Sequence, residues 1–111
     1  MKVKLDLEHW NRREHFEFFK KFDEPFYSLN MDIDCTEGYD KVKALNGSLF
    51  IWYLYNAMKA SNAIKEFKYR IEGDDVVEYD IVHASPTISR VDGTFGFAQV
   101  NYHDDFDVFQ V

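Results

Sequence analysis

The sequence has little of several residue types that define other classes of protein. Its 111 residues include 1 Cys, 2 Pro and 5 Gly. The single cysteine, Cys35, excludes an internal disulfide, and the four histidines include no pair four residues apart, so no metal site is predicted. No apolar run approaches the ~18 residues of a membrane span, and a charged Met-Lys-Val-Lys-Leu start is unlike a signal segment. These absences predict a cytoplasmic protein with no membrane partner.

Cations are also in deficit, with 13 Lys and Arg against 20 Asp and Glu and a net charge of −7. Phosphate backbones and anionic lipid surfaces repel an acidic chain, so nucleic acid is not a predicted partner. A glycine-rich phosphate loop is absent as well, because Gly93-Thr94-Phe95-Gly96 lies in a predicted hairpin with no helix after it.

Aromatic residues, in contrast, are abundant: they make up 18% of the chain, with 11 Phe and 7 Tyr. A minimal core needs fewer, so the surplus predicts an aromatic-lined pocket for a flat apolar ligand or a partner surface. Core packing is the alternative for each residue taken singly. The candidates are Phe18, Phe19, Phe26, Tyr27, Phe95, Phe97, Tyr102 and Phe106.

The most aromatic stretch covers residues 10–22, where apolar residues recur at helical spacing between charged ones. This pattern predicts an amphipathic helix. Part of the Arg12 stem would lie on its aromatic face, and a buried guanidinium needs a carboxylate partner that the sequence does not make obvious. The alternative is a surface position, with Arg12 paired to Glu8 and Arg13 to Glu17.

Hydrophobic periodicity divides the rest of the chain into strands and helices. Strands are predicted at 2–7, 27–34, 67–71, 76–82, 86–91 and 94–100, and helices at 10–22, 36–45, 49–62 and 102–111. The third helix is apolar on almost all sides and is predicted to be the buried central one. Hairpin turns are predicted at 73–75 and 92–93, and Gly47 is expected to be left-handed after the second helix. This order predicts one α+β domain over 1–111, a two-layer sandwich of helices on a mixed β-sheet.

Other residues that carry chemistry have simpler structural explanations. His15 is expected to pack on the aromatic helix, and His103 to cap the helix that follows it. Nothing in the sequence places Cys35 beside a base at a helix start, so a thiol nucleophile is not supported.

Two specific runs of residues resemble the chloramphenicol acetyltransferase family. The first is Trp10, Arg12, Arg13, Glu14, His15, Phe16 and Phe18, and the second is Tyr102-His103-Asp104-Asp105-Phe106. Looser matches between them include Asp32-Ile33-Asp34, Ser48-Leu49-Phe50, Asn62, Asp80-Ile81-Val82-His83 and Thr94-Phe95.

The resemblance implies a CoA-dependent acyltransferase that assembles as a homotrimer. Such an enzyme moves an acetyl group from acetyl-CoA, its co-substrate, to a hydroxyl of chloramphenicol or of a similar small acceptor, and antibiotic resistance is implied by the family alone. The family's catalytic base is the histidine of a His-His-x-x-x-Asp-Gly motif near the carboxyl end. That motif is absent here, and the chain covers about the first half of a family member. The domain is therefore expected to be truncated before the catalytic motif and to hold no catalytic residue.

By the same resemblance, Arg12 corresponds to an arginine that supports the catalytic loop through an ion pair with the aspartate of the motif. Phe18, Phe19, Leu29 and Phe95 correspond to positions that line the acceptor pocket. Some members have a tyrosine where this chain has Phe19, and the missing hydroxyl leaves the identity of the acceptor open.

Two functional hypotheses stand at this point. The first is the amino-terminal half of an acetyltransferase, inactive alone. The second is a non-enzymatic module that keeps the aromatic pocket to bind a small apolar ligand, or that self-assembles. The sequence leaves open the acceptor, whether the chain is a natural short protein or a fragment, and whether it trimerises without a carboxyl half.

Overall fold

The computed structural model describes residues 1–110, in which one strand and three helices are followed by four strands and a short fourth helix. The strands are β1 (Lys2–Lys4), β2 (Tyr69–Glu72), β3 (Asp75–Tyr79), β4 (Thr87–Ser89) and β5 (Phe95–Phe97). The helices are α1 (Arg13–Phe19), α2 (Thr36–Ala44), α3 (Leu49–Ala63) and α4 (Phe106–Phe109), with a 3-10 turn at Lys65–Lys68. Val111, the end of the predicted fourth helix, lies outside the described residues. The chain is therefore α+β, as predicted.

The larger sheet has β3 at its centre, with β1 and β2 antiparallel on its two sides. Val76 and Val77 of β3 are buried, which suits a central strand. Gly73 has a φ of 63° and makes the tight turn between β2 and β3, which confirms the predicted hairpin.

The strands β4 and β5 form a second hairpin around Asp92 and Gly93, also as predicted. Gly93 has a φ of 83°, and Asp92 Oδ1 accepts hydrogen bonds from the N–H and the hydroxyl of Thr94 at 3.0 and 2.6 Å. The strands are shorter than predicted because, beyond the paired residues, only an isolated bridge joins Ala84 and Val100. Each strand pair in the described residues is antiparallel, so this part of the chain does not by itself form a mixed sheet.

The turn between α2 and α3 differs from its prediction in one residue. Asn46, at a φ of 55°, takes the left-handed conformation, and Gly47 does not. Gly47 instead allows a close approach, since a Cβ there would lie 3.2 Å from Val42 Cγ1, and its N–H donates to the Val42 carbonyl at 2.8 Å. Ser48 caps α3 as predicted, with its hydroxyl oxygen accepting from the Ile51 N–H at 3.3 Å.

The core is small and lies on one side of α3. Tyr55 and Met58 of α3 pack against Tyr102, and the rings of Phe106 and Phe109 in α4 lie 5.0 and 5.3 Å from the Tyr55 ring. The predicted central helix is thus buried on one face only. A radius of gyration of 17.7 Å exceeds the ~13 Å of a compact chain of this length, so the residues pack loosely around this core.

Several predicted elements are wrong in extent or kind. The first strand ends at Lys4 instead of Leu7, and the fourth helix begins at Phe106 instead of Tyr102. Residues 27–34 were expected to form a strand, yet they have no secondary structure and no backbone hydrogen bond to a strand in the described residues. A strand exists only where a neighbour satisfies its N–H and C=O groups, and alternation of side chains cannot supply one. The first helix begins at Arg13 instead of Trp10 and ends at Phe19 instead of Phe22.

Asn62 ties the end of α3 to the segment that follows β3. Its side-chain carbonyl accepts from the Val82 N–H at 2.8 Å, and its NH2 donates to the carbonyls of Val82 and Met58 at 3.0 and 2.9 Å. One side chain therefore satisfies three backbone groups in partly buried surroundings.

We expect Asn62→Ala to lower the free energy of unfolding by about 1–3 kcal/mol, because both Val82 backbone groups lose their partner where water replaces it poorly. Urea unfolding followed by circular dichroism measures the loss. Asn56→Ala is the matched control, since Asn56 is exposed and bonds only to the Trp52 carbonyl of its own helix. That control should cost less than about 0.5 kcal/mol, and equal losses in the two variants would contradict the role of Asn62.

Candidate functional site

Three phenylalanine rings form an exposed cluster on and just after α1. The ring centroids of Phe18, Phe19 and Phe22 lie 5.1 to 5.3 Å apart in tilted or edge-to-face contact, and the residues are 47% to 61% exposed. We name these residues the outer phenylalanine cluster. Contiguous apolar surface of this kind marks a binding site or an interface.

The cluster is exposed because other aromatic residues attach α1 to the sheet. The Trp10 ring lies 5.9 Å from the Phe16 ring and 5.9 Å from the Tyr69 ring of β2. Lys20 Nζ lies 5.3 Å from the centroid of Phe16 and 2.8 Å from Glu17 Oε2, so Phe16 is covered on its solvent side as well. The helix therefore docks through Trp10 and Phe16.

The structure brings together two of the four predicted acceptor residues. Phe18 and Phe19 share the outer phenylalanine cluster, whereas Phe95 packs on Phe97 of its own hairpin with centroids 5.9 Å apart. Leu29 lies in the extended segment 27–34 and is 80% exposed. In the part of the chain that the structure describes, no ring contact joins Phe95 to the cluster. The four residues are thus exposed and do not form a closed pocket in the described part of the chain.

Arg12 directly precedes α1 and its side chain is exposed. Within residues 1–110 it forms no ion pair, so the alternative pairing with Glu8 is wrong. Glu17, the alternative partner of Arg13, pairs with Lys20 instead, and this hydrogen bond lowers the pKa of the Glu17 carboxyl. In the part of the chain that the structure describes, the Arg12 guanidinium therefore has no carboxylate partner.

The run that begins at Tyr102 is structural in this part of the fold. The buried Tyr102 hydroxyl donates to Asp104 Oδ1 at 2.7 Å, and the Tyr55 hydroxyl donates to the Asp104 carbonyl at 2.5 Å. His83 Nδ1 accepts from the Tyr102 N–H at 2.9 Å. Of the surplus aromatics, Tyr102 therefore belongs to the core, and Phe106 packs against it.

The remaining histidines give no sign of chemistry. His103 Nδ1 accepts from the Asp105 N–H at 3.0 Å, but the side chain that caps α4 is that of Asp105, so the predicted capping role of His103 is wrong. His15 is exposed, so the prediction that it packs on the helix is wrong. Among residues 1–110, no group of three or more His, Cys, Asp or Glu could hold a metal ion, and no helix is long and apolar enough to cross a membrane.

The structure has a groove of about 580 Å³ between α2, α3 and α4 that no sequence pattern predicted. Its lining includes Trp52, Tyr55 and Phe106, with Lys41 among the polar groups, and none of the predicted acceptor residues takes part. Gly38 allows the Trp52 ring of this lining to lie close against α2, because a Cβ there would lie 2.5 Å from the end of that ring. Such a groove arises from the packing of three helices, so the local sequence pattern of any one helix cannot predict it.

Burial, assisted by the hydrogen bond to Asp104, raises the pKa of the Tyr102 hydroxyl to about 12. An unfolded tyrosine has a pKa near 10, so the folded state holds this proton more tightly. The resulting stabilisation is complete below about pH 10 and is lost as the pH rises to about 12.

We therefore expect the difference in free energy of unfolding between the wild type and Tyr102→Phe to shrink between about pH 9 and pH 12, as measured by urea unfolding. Tyr53→Phe, at an exposed position of α3, is the control, and its difference should stay constant. A difference in free energy of unfolding between the wild type and Tyr102→Phe that stays constant with pH would contradict this account.

Comparisons of the sequence and of the structure with known proteins all find chloramphenicol acetyltransferases. The family model described as chloramphenicol acetyltransferase matches residues 2–111. Chloramphenicol acetyltransferase from Klebsiella sp. is 28% identical over 95% of this chain and 48% of its own length, and chloramphenicol acetyltransferase 3 from Escherichia coli is 31% identical over 98% and 52%. A solved structure of a chloramphenicol acetyltransferase superposes with a TM-score of 0.91 at 39% identity, over 98% of this chain and 52% of that one.

The chain spans about half the length of the curated relatives it matches. The family model nevertheless covers almost every residue of the chain, including both runs that carried the resemblance. The chain belongs to the chloramphenicol acetyltransferase family.

Proposed function

We propose that this chain supplies the acceptor-binding half of an acetyltransferase that moves an acetyl group from acetyl-CoA to a hydroxyl of chloramphenicol or of a similar small acceptor. The outer phenylalanine cluster carries the proposal, because it is an exposed apolar surface in a chain of this family. Aromatic walls of this kind bind flat, largely apolar ligands.

In this proposal Phe18, Phe19, Leu29 and Phe95 form part of the pocket wall, and the rest of the protein closes the pocket over them. The residues are 48% to 80% exposed, so a covering element could contact them without displacing the core around Tyr55. The complete protein would be a two-layer sandwich with a mixed sheet, assembled as a homotrimer in the cytoplasm.

Acetyl-CoA would supply the reactive thioester, but we assign none of its contacts to this chain. The candidate residues all belong to the acceptor side, and the sequence contains no glycine-rich loop that could cradle phosphates. The catalytic histidine is likewise assigned to the half that this chain does not span. The chain alone is therefore proposed to be inactive.

Arg12 is proposed as a positioning residue for that histidine's loop. Its planar guanidinium can hold a carboxylate through two parallel hydrogen bonds, and it is exposed at the start of a helix that Trp10 attaches to the sheet. A carboxylate from the catalytic loop would complete this pair.

A non-enzymatic module remains the second candidate. The exposed outer phenylalanine cluster favours it, since apolar surface can bind a ligand without any catalytic group. Saturable binding of chloramphenicol by the isolated chain, with no acetyl transfer in any completed form, would select this candidate.

The direct test is CoA release from acetyl-CoA and chloramphenicol by a chimera in which this chain continues into the remaining residues of the solved relative. We expect the chimera to be active and the isolated chain to match a heat-treated control. Phe18→Ala should raise KM for chloramphenicol about tenfold, because removing a ring that the bound acceptor covers costs more than about 1.4 kcal/mol of binding. Phe97→Ala, another exposed phenylalanine, should change KM less than about twofold. A folded but inactive chimera, or equal effects of the two variants, would contradict the proposal.

For Arg12, the expected signature is a loss of kcat in the chimera with no change in the isolated chain. Arg12→Ala should lower kcat about tenfold or more, and Arg12→Lys should restore little, because an ammonium cannot make the paired contact. Arg13→Ala, at the neighbouring exposed arginine, is the control and should leave kcat within about twofold. In the isolated chain each variant should change the free energy of unfolding by less than about 0.5 kcal/mol. Equal losses of kcat for Arg12→Ala and Arg13→Ala would refute the role.

A further inference from the structure

We infer that Arg90, which lies across Gly96 in the β4–β5 hairpin, is a positioning residue that fixes Phe95 for binding of the acceptor. The inference rests on the proposed function, which places Phe95 in the wall of the acceptor pocket. It adds two residues that set how tightly the acceptor binds without touching it.

The β4–β5 hairpin has two different faces. Phe95 and Phe97 are two residues apart on β5, so their side chains point to the same face, where the ring centroids lie 5.9 Å apart in edge-to-face contact. We name this the aromatic face of the hairpin. Gly96 lies between these residues and therefore belongs to the opposite face, which we name the back face.

The Arg90 side chain covers the back face at Gly96. A Cβ on Gly96 would lie 3.1 Å from Arg90 Cζ and 3.4 Å from Arg90 Nε, so the guanidinium occupies the space in which a side chain at 96 would stand. A glycine inside a strand often marks such a close approach, and a flat guanidinium suits it because no Cβ intervenes.

The backbone of Phe95 is not held by the strand pairing itself. The Arg90 N–H donates to the Thr94 carbonyl at 2.8 Å, which closes the hairpin at its turn. Bonded and non-bonded pairs alternate along an antiparallel ladder, so the next pair, which contains Phe95, is non-bonded, and the pair that contains Gly96 is bonded. The position of Phe95 therefore depends on Thr94 and Gly96, the residues on each side of it.

Arg90 contacts both of these flanking residues. Besides covering Gly96, its Nη1 lies 3.5 Å from Thr94 Oγ1, and the Thr94 hydroxyl donates to Asp92 Oδ1 at 2.6 Å. Within residues 1–110 the Arg90 guanidinium makes no ion pair, so an electrostatic partner does not draw it away from the hairpin. The side chain thus holds the backbone directly behind Phe95.

A hairpin of this size needs such a contact to present a ring in one position. Each strand has three residues, and a two-stranded ribbon is marginally stable in water. Phe95 is 60% exposed, and in the described part of the chain its one aromatic neighbour is Phe97. The packing of the ring itself therefore fixes it weakly. A pocket wall that is ordered before binding gives higher affinity, because less conformational entropy is lost when the ligand arrives.

The test is equilibrium dialysis of chloramphenicol against the chimera, in which this chain continues into the remaining residues of the solved relative. Arg90→Ala should raise the Kd for chloramphenicol about fivefold, with the number of binding sites unchanged. A merely structural role would lower the number of sites and leave the Kd of the folded fraction as it was. Val91→Ala, at a fully exposed position in the same turn, is the control and should change the Kd less than about twofold.

Arg90→Lys separates packing from charge. A lysine keeps the charge but lacks the flat group that lies on Gly96, so its Kd should stay at least about threefold above that of the unchanged chimera. Full recovery with lysine would show that the charge alone acts on the acceptor, and it would overturn the inference.

Gly96→Ala tests the contact itself. Its Cβ should displace the guanidinium, because the end of a flexible side chain moves more easily than the backbone, and the Kd should again rise about fivefold. If both substitutions break one contact, the double variant should match each single one, whereas independent effects would multiply to about 25-fold. A multiplied effect would overturn the inference.

The remaining outcomes separate the inference from the proposed function. A chimera that transfers acetyl groups, but whose Kd is unchanged by Arg90→Ala, would overturn the inference and leave the proposed function standing. The expected pattern of Kd values in a chimera that transfers no acetyl group would uphold the inference and count against the proposed function. A folded chimera that binds no chloramphenicol would overturn both.

Discussion

Backbone pairing is the constraint on which this structure depends. A strand is stable only when its N–H and C=O groups find a neighbour, and the described residues supply neighbours for β1 to β5 alone. The hydrophobic core is likewise limited to the elements that find a packing partner. It forms where α3, α4 and Tyr102 meet, and it ends where the described elements end. Much of the apolar surface that the sequence contains is consequently left exposed.

Local signals in the sequence predicted the local structure well. Gly73 and Gly93 make the turns expected of them, and Ser48 caps the helix that it precedes. These features depend on residues within a few positions of one another, so the sequence nearby is sufficient to specify them. Asn46 shows the margin of error, since it takes the left-handed conformation that was expected of the adjacent glycine.

Features that depend on distant residues were predicted less well. Alternation between 27 and 34 predicted a strand from its side chains, but it carried no information on whether a neighbouring strand was present. The groove beside Trp52 and the bonds between Asn62 and Val82 arise from elements that pack together, and periodicity carries no information about them. Asn62 itself was visible as a polar residue near the end of an apolar helix, which is a signal for a buried partner.

The candidate site divides in the same way. The amino-acid sequences at 10–18 and 102–106 indicated the family, and the family model confirms it. Among the predicted acceptor residues, Phe18 and Phe19 are neighbours in sequence and lie together, whereas the ring of Phe95 packs on Phe97 of its own hairpin and Leu29 is exposed. A pocket assembled from distant residues requires the elements that bring them together.

Hydrogen exchange at the backbone amides of residues 27–34 tests this account most directly. The measurement compares the isolated chain with the chimera in which the chain continues into the remaining residues of the solved relative. Unpaired amides exchange at nearly the rate of an unfolded peptide, and paired strand amides are protected by orders of magnitude. The account predicts fast exchange in the isolated chain and strong protection in the chimera, with β3 protected in both. Protection of 27–34 in the isolated chain, or fast exchange in a folded chimera, would contradict it.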